Sequence, residues 1–385
     1  MSEAQATDFL VRLRFGAWET VRCSLCGTIA KHYWRPADRR WQCEGCQNHF
    51  SVTSGTVFAY RKKPLQKLIE AALLWVNSAG GQAALELKRH LNVTYNTAYV
   101  WEQKFREGLV RGFNTGLLNG DLEIDGAHQS GRRSVERRGK PQGSGPTAAD
   151  APAEVDEKAL TTSAQTQERD KRKRRKKSGE AAPVERDPMY NFALPTDRRI
   201  IITVRKRSGK RGYGAVGTRV IVSSNENRPA VNSVVRQFTA YGESILNTDN
   251  FPPYSRMDRI FTEHRQVVHS VSLRGPNGEN NNLVEEINFR YDREERGTHL
   301  NIEPKYLLEY AVEAAFRADT RRLSNGDQLR RILHLTGSIG RSQFWIGYTQ
   351  GLHRDDELSK PHRKKAKPSG PEKRWDPRIN HRPPR

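Results

Sequence analysis

Cysteine is scarce in this chain, and long hydrophobic runs are missing. No stretch approaches the ~20 apolar residues that span a bilayer. The N-terminus lacks the charged start, apolar block and small-residue cleavage site of a secretory signal. No internal repeat is present. These absences argue against a membrane or secreted protein, and we expect a cytoplasmic, nucleoid-associated location.

Acidic residues are outnumbered by basic ones. Lys and Arg total 66 against 44 Asp and Glu, which gives a formal net charge of +22 over 385 residues. A balance this basic indicates a polyanionic partner, with nucleic acid ahead of an anionic membrane surface, although a merely basic soluble protein is the alternative. The length allows two or three domains.

The few cysteines are concentrated at one end of the chain. They form two pairs, Cys23-x-x-Cys26 and Cys43-x-x-Cys46, with sixteen residues between the pairs. Two such knuckles predict four thiolates around one structural zinc, with no position left for a catalytic water. Two disulfides are the alternative, which a reducing compartment disfavours. We therefore expect residues 1–60 to form a zinc ribbon with short strands around the knuckles.

Residues 61–115 have the apolar spacing of helices. The stretch PLQKLIEAALLWV (64–76) starts on a proline suited to a first helical turn. Residues 80–109 then predict a helix-turn-helix, whose second helix would enter the DNA major groove. An ordinary helical hairpin with a solvated polar face is the alternative. The outward face of the second helix offers the candidate DNA contacts Tyr95, Asn96, Tyr99, Lys104 and Arg106.

The rest of the chain predicts an α/β domain around a mixed sheet, interrupted by a long insertion. The domain covers 116–132 and 190–337. Its strands are expected at 119–126, 198–207, 217–224, 243–249 and 264–270, and its helices at 229–241, 281–294, 304–323 and 326–337. The insertion, 133–189, has almost no large apolar residues and should be disordered. The basic segment 338–385 is expected to be a flexible arm.

Three carboxylates fall at the ends of separate predicted elements. Asp125 closes the first strand, and Asp249 closes the fourth. Glu285 lies about one turn into a helix that Asn281 or Asn282 could cap. If the three acids converge at one edge of the sheet, they offer the oxygen ligands that Mg²⁺ prefers, and two ions there could support in-line phosphoryl transfer.

Several of these segments, taken in order, resemble one known family. FSVTSGTVF (50–58), LNVTYNTAYVW (91–101), GDLEIDGAH (120–128), NTDNFPPY (247–254) and NNNLVEEINFR (280–290) are similar to segments of bacterial DDE insertion-sequence transposases of the ISXO-two-like group. Members of that group carry an N-terminal zinc ribbon and an RNase H-like catalytic domain. The resemblance covers roughly 20–132 and 190–335.

By position, the resemblance makes Asp125, Asp249 and Glu285 the catalytic metal-binding triad. It also makes His269 and Asn282 candidate neighbours of the active site. It implies a catalytic Mg²⁺ or Mn²⁺ beside the structural Zn²⁺. The implied reaction is hydrolysis at transposon ends, followed by strand transfer by the freed 3′-hydroxyl.

The partner implied by the resemblance is DNA, both transposon ends and target, and no membrane is involved. Because two ends must be joined, we expect a dimer or higher oligomer on DNA. Arg132 and Arg133 follow Asp125 closely and could steady the nucleic-acid backbone. The alternative function is a transposase-derived DNA-binding regulator that has lost cleavage. A zinc-ribbon transcription factor would leave the three acids unexplained.

Overall fold

The structure is a computed structural model that describes residues 1–130, 198–210, 212–267, 280–300, 302–354 and 356–358. The predicted insertion at 133–189 and the part of the predicted arm after residue 358 lie outside the described residues. Arg132, Arg133 and His269 also lie outside them.

The described helices and strands follow the predicted order. The helices are α1 (Glu3–Phe15), α2 (Leu65–Asn77), α3 (Ala84–Leu91), α4 (Tyr95–Gly108), α5 (Arg228–Phe238), α6 (Asn282–Glu294), α7 (Leu307–Thr320) and α8 (Asn325–Ser338). The strands are β1 (Tyr33–Arg35), β2 (Arg40–Gln42), β3 (His49–Phe50), β4 (Asp121–Ser130), β5 (Arg198–Arg207), β6 (Ala215–Ser223), β7 (Ile245–Asp249) and β8 (Glu263–Val267).

Helix α1 is the one described helix longer than two turns that the sequence analysis does not predict. Its buried side chains are few, Ala6, Thr7 and Val11, so its apolar periodicity is weak. A capping box stabilises its start, in which Ser2 accepts from the amide of Gln5 and the Gln5 side chain accepts from the amide of Ser2.

The first three strands form a small antiparallel sheet in the order β1-β2-β3. Trp41, in the middle strand, is almost fully buried. Its ring lies 4.7 Å from that of Trp34, 5.6 Å from that of Phe50 and 5.4 Å from that of Trp18, between ring centres. The short strands expected around the cysteines are therefore present, and aromatic side chains supply their core.

Helices α2 and α4 pack against α7 and α8. At their centre the Trp75 ring lies 5.4 Å from the Phe105 ring and 6.5 Å from the Phe316 ring. The early helical region and the late helices therefore share one apolar core. Among the described residues, no helix is both long and apolar enough to span a membrane.

The large sheet has five strands in the order β6-β5-β4-β7-β8. Strands β4, β5 and β6 are antiparallel neighbours, whereas β7 runs parallel to both β4 and β8. The predicted mixed α/β pattern is thus confirmed. Helix α6 packs on β4 and α7 packs on β6, and the shared core there includes Ala127, Ile201, Val284 and Phe316.

The first part of the predicted flexible arm is packed, which corrects that expectation. Trp345 is buried, and its ring lies 5.5 Å from the Tyr306 ring. The Ser342 hydroxyl donates to a carboxylate oxygen of the buried Glu107 at 2.6 Å. The segment is polar overall, but its buried tryptophan, which packs on aromatic rings, and this hydrogen bond hold it against the helices.

Candidate active site and metal centre

The four cysteines of the knuckles converge around one point and are named here the cysteine cluster (Cys23, Cys26, Cys43 and Cys46). Within the described part of the chain, no other group of three or more His, Cys, Asp or Glu residues has ligand atoms that all lie within 4.8 Å of one another. The Sγ atoms of Cys23 and Cys46 are 3.8 Å apart, and those of Cys26 and Cys43 are 3.6 Å apart.

These distances fit zinc and do not fit disulfides. A disulfide has sulfurs about 2.05 Å apart, and all four thiols of the cysteine cluster are free. Zinc bound to four thiolates at about 2.3 Å places the sulfurs about 3.8 Å apart at the corners of a tetrahedron. The cysteine cluster is therefore compatible with a zinc site.

The two knuckles have the same backbone turn. The amide of Gly27 donates to the carbonyl of Cys23 at 3.1 Å, and the amide of Gln47 donates to the carbonyl of Cys43 at 3.0 Å. Gly27 and Gln47 both have positive φ, 80° and 58°. Each pair thus turns so that its second sulfur comes back beside the first, as the spacing predicts.

Asp125 and Asp249 lie on adjacent parallel strands. The paired part of these strands ends at Glu123 on β4 and Asn247 on β7, and Asp125 and Asp249 each lie two residues beyond it. Asp249 ends β7 as predicted. Asp125 does not end β4, because the strand continues to Ser130. Pairing with the apolar strand β5 extends β4 beyond the point where its own apolar pattern stops.

Four carboxylates surround this position and are named here the acidic cluster (Asp125, Glu226, Asp249 and Glu285). Burial, first, and then the charges of the other three members raise the pKa of Asp125 well above its ordinary value. Among the described residues no three members have oxygens that all lie within 4.8 Å of one another. Like charges near each other repel, and divalent cations with oxygen ligands would relieve that repulsion. The donor set therefore suits a hard divalent cation.

Glu226 is the member that sequence reasoning missed. It lies in the loop before α5, and its side chain is almost completely buried. It accepts a hydrogen bond from the Tyr254 hydroxyl and lies 3.6 Å from His128 Nε2. Burial raises the pKa of Glu226 to about 7, against a smaller lowering by Tyr254. A Cβ at Gly126 would overlap the Glu226 carboxylate. The glycine directly after Asp125 is therefore the feature of the sequence that indicates another group packed against the strand at this point.

Glu285 and its neighbour Glu286 have different surroundings. Glu286 lies 3.3 Å from the Arg205 guanidinium and 2.9 Å from that of Arg290, which lower its pKa against the effect of partial burial. Glu285 is itself exposed in the first turn of α6, and its charge contributes to the raised pKa of Asp125. Glu286 is thus paired with two arginines, and the choice of Glu285 as the third acid stays a prediction.

The asparagines before Glu285 do not cap its helix, contrary to the expectation. Asn281 occupies the capping position without a capping hydrogen bond, and its side-chain amide donates to the carbonyl of Ile124 at 3.5 Å. Asn282, the candidate active-site neighbour, is the exposed first residue of α6. Asn288, which the sequence analysis does not select, donates to Asp125 Oδ2 at 2.9 Å.

Helices α3 and α4 are joined by a three-residue turn. Asn92 ends α3 in the left-handed conformation, with φ 48°, and Thr94 caps α4 by accepting from the Thr97 amide at 3.3 Å. The first two residues of α4, Tyr95 and Asn96, are exposed. The predicted pair of helices with its turn is therefore present.

Two other candidate DNA contacts on α4 are half-buried. The Tyr99 ring lies 5.7 Å from the Trp345 ring and 5.5 Å from the Tyr348 ring. The Lys104 ammonium lies 6.0 Å from the centre of the Phe58 ring. Both side chains therefore contribute to packing between α4 and its neighbours.

Arg106 is a correction to the predicted DNA-binding set. Its side chain is fully buried, and its Nε donates to Glu313 at 2.6 Å. Its guanidinium also lies 4.0 Å from the centre of the Tyr310 ring and 3.6 Å from Glu102. The periodicity of α4 identifies one buried face, but α7 covers the opposite side as well. Arg106 therefore holds two helices together and does not face DNA.

Comparison with known proteins gives one match. Residues 147–319 match the family described as ISXO2-like transposase domain, which confirms the family indicated by the motifs. The matched range contains Asp249 and Glu285, begins after Asp125, and includes part of the stretch predicted as a disordered insertion. No curated protein and no solved structure matches the chain. The match supports an insertion-sequence transposase in general, and that family implies DNA binding.

Proposed function

We propose that this chain, which carries an ISXO2-like transposase domain, is an insertion-sequence transposase that binds terminal repeats and cleaves and joins DNA strands by two-metal phosphoryl transfer. The observation that carries the proposal is the placement of acids from three separate segments in one cluster. Asp125 and Asp249 each lie two residues beyond the paired part of two adjacent parallel strands. Besides burial, the charges of Asp249 and of Glu285 on α6 raise the pKa of Asp125.

We assign residues 116–132 and 190–337 to an RNase H-like catalytic domain. The sheet topology supports this assignment, because three antiparallel strands are followed by two parallel ones. Asp125 lies on the central strand and Asp249 on its parallel neighbour. We likewise interpret residues 1–60 as a zinc ribbon and 61–115 as a helix-turn-helix region.

In the proposed reaction Asp125, Asp249 and Glu285 would hold Mg²⁺ or Mn²⁺ by their carboxylate oxygens. Bound there, the cations would activate the attacking oxygen and stabilise the leaving one. Asn288 orients Asp125 through its hydrogen bond. Water attacks the phosphodiester at a transposon end, and the bond to the 3′-oxygen breaks. The freed 3′-hydroxyl then attacks a phosphodiester of the target DNA. The bond from that phosphorus to the target strand's own 3′-oxygen breaks, and this oxygen leaves as a hydroxyl, so no protein nucleophile is required.

The proposed DNA interface combines the first turn of α4 with basic residues near the acids. Tyr95 and Asn96 are exposed where a recognition helix approaches base edges. Arg132 and Arg133 are assigned to the DNA backbone from the sequence. The net charge of +22 favours DNA as partner. We expect a dimer or higher oligomer on DNA in the cytoplasm, at the nucleoid.

The test is a strand-transfer assay with terminal-repeat DNA and Mg²⁺ or Mn²⁺. Wild type should cleave and join strands. Asp249→Asn should lower the rate at least ~10³-fold, about 4 kcal/mol of transition-state stabilisation, because a cation ligand is lost. Both proteins should bind the DNA equally well. Asp258→Asn is the matched control, since Asp258 is an exposed acid nearby in the chain, and it should cleave like wild type.

A transposase-derived regulator is the competing function. It predicts that wild type binds terminal repeats and never cuts them under any divalent cation. Binding itself is tested by salt dependence, because several phosphate contacts imply that affinity falls ~10³–10⁵-fold between 50 and 200 mM salt. A flat response to salt would contradict both functions.

A further inference from the structure

The helix that carries Glu285 is capped by a residue from another element. The first amides of a helix have no partner within the helix. In α6 the carboxylate oxygen Oε2 of Glu123 accepts from the amide of Leu283 at 2.8 Å and from that of Val284 at 3.1 Å. Glu123 lies on β4, two residues before Asp125. One side chain thus joins the strand of Asp125 to the turn of Glu285.

Glu123 is held in place by an arginine of the next strand. Its side chain is fully buried, and its Oε1 lies 2.7 Å from Arg207 Nε. The same guanidinium donates to the carbonyl and to the side-chain oxygen of Asn280, just before α6. Arg207 therefore links the capping carboxylate of Glu123 to Asn280, which precedes α6.

A second arginine of β5 binds the first turn of α6 through a backbone carbonyl. Arg205 is fully buried and donates to the carbonyl of Leu283 at 2.5 Å. Leu283 is thus held by its amide through Glu123 and by its carbonyl through Arg205. The start of α6 is fixed by buried, charged hydrogen bonds, which are stronger than neutral ones.

We infer that Glu123 is a positioning residue for the proposed reaction: by capping α6 it fixes Glu285 relative to Asp125. This inference rests on the proposed function. With a metal bound, its ligands must lie within about 0.5 Å of their working positions. Glu285 follows Val284 directly, so a first turn that loosens carries the Glu285 carboxylate with it. Removal of partners that orient metal ligands typically costs 10–100-fold in affinity.

The experiment measures Mn²⁺ affinity of the full-length, zinc-loaded protein by electron paramagnetic resonance. Glu123→Gln should weaken Mn²⁺ binding ~10–100-fold, because the neutral side chain cannot both pair with Arg207 and cap two amides. Asp121→Asn is the matched control. Asp121 is also on β4 and lies 3.7 Å from Arg207, but it contacts Asn247 and not α6. It should bind Mn²⁺ like wild type.

A double-mutant cycle separates positioning from a general structural role. Glu285→Gln should weaken Mn²⁺ binding, and Glu123→Gln added to it should cause less than about a twofold further loss. Additive losses would overturn the inference, since Glu123 would then act by another route. If Glu285→Gln leaves Mn²⁺ binding unchanged, the proposed function fails and the inference fails with it. If only Glu123→Gln leaves it unchanged, the inference fails alone.

Hydrogen exchange tests the cap without any metal. The amides of Leu283 and Val284 should exchange at least about tenfold faster in Glu123→Gln than in Asp121→Asn. Glu123→Asp, which keeps the charge but shortens the side chain, should give an intermediate rate and serves if the glutamine variant does not fold. Unchanged exchange in both Glu123 variants would overturn the inference.

Discussion

The cysteine cluster and the acidic cluster offer two sets of metal ligands that differ in how closely their atoms approach. All four sulfurs of the cysteine cluster lie within 4.8 Å of one another, whereas no three members of the acidic cluster reach that spacing in the described residues. Thiols can approach in their neutral form. Carboxylates lose hydration when buried and repel one another once ionised; burial first, and then the charges of acidic neighbours, raise the pKa values of Asp125 and Glu226.

Under the proposed function, this difference corresponds to two uses of metal. The backbone turns at Gly27 and Gln47 bring the sulfurs together, so a zinc ion there would have four protein ligands and no open position, which suits a structural role. The acids come from four separate segments: β4, the loop before α5, β7 and α6. The positions of these segments relative to one another depend on the packing of the whole fold. In a site of this kind the acids reach their final distances to the metal only when cations bind. Such a site can also leave room for substrate phosphate.

Removal of zinc is expected to have the largest effect. Zinc supplies ~10–16 kcal/mol in small structural modules, more than a core of this size offers. A chelator, or Cys43→Ser at a buried ligand, should therefore abolish hydrogen-exchange protection across residues 21–50. Ser24→Ala, inside the first knuckle but not a ligand, should leave it intact. If protection of residues 21–50 is retained after complete chelation, this region folds without metal. The contrast between the cysteine cluster and the acidic cluster would then be contradicted.

The fold was predictable to the extent that local patterns determine it. The spacing of the cysteines predicted their convergence, and the apolar periods predicted most described strands and helices within a few residues. Helix α1 was not predicted because it depends on a capping box more than on an apolar face. The packing of Trp345 was not predicted because its partners, Tyr99 and Tyr306, are distant in the chain.

The candidate site was predictable only where the acids follow a strand or start a helix. Glu226 reaches the acidic cluster from a loop, through the space that Gly126 leaves, and no periodicity marks it. Arg106 was assigned to DNA because a helical wheel shows one buried face and cannot show that Glu313 will cover the other. The role of Glu123 could not be predicted from the sequence, because its partners are backbone amides of α6.

The second effect is a loss of stability with rising pH, which the acidic cluster should cause. A zinc site of four thiolates should show the opposite trend and lose stability as the pH falls, because its ligands must be deprotonated. The pKa of Glu226 is about 7 in the folded chain against 4.5 ordinarily. Glu226 keeps its proton to a higher pH in the folded state than in the unfolded state. Its contribution to the free energy of unfolding is therefore full below pH 4.5 and falls by about 3 kcal/mol as the pH rises to 7.

The measurement is urea unfolding of the zinc-loaded protein between pH 5 and 8 without other divalent cations. Glu226→Gln should flatten the decline, because its side chain has no charge to gain. Tyr254, His128 and Asp249 also face this group, so Glu243→Gln, at an exposed acid outside the cluster, is the matched control and should decline like wild type. A decline of equal size in Glu226→Gln would contradict the assignment.

The smallest effect is the stabilisation that the acidic cluster gains from a cation. If Mn²⁺ relieves the repulsion among these acids, it should raise the unfolding free energy of the zinc-loaded protein by about 1.4 kcal/mol at ten times its dissociation constant. At a fixed pH of 8, wild type should show this gain in thermal melts, and Asp125→Asn should not. The variant should instead melt higher than wild type without Mn²⁺, because it removes a buried charge whose pKa is raised by burial and by its acidic neighbours. Asp258→Asn should keep the wild-type gain. An equal gain in Asp125→Asn would mean that Mn²⁺ acts elsewhere, and the contrast between a preformed thiolate site and a cation-assembled carboxylate site would then be lost.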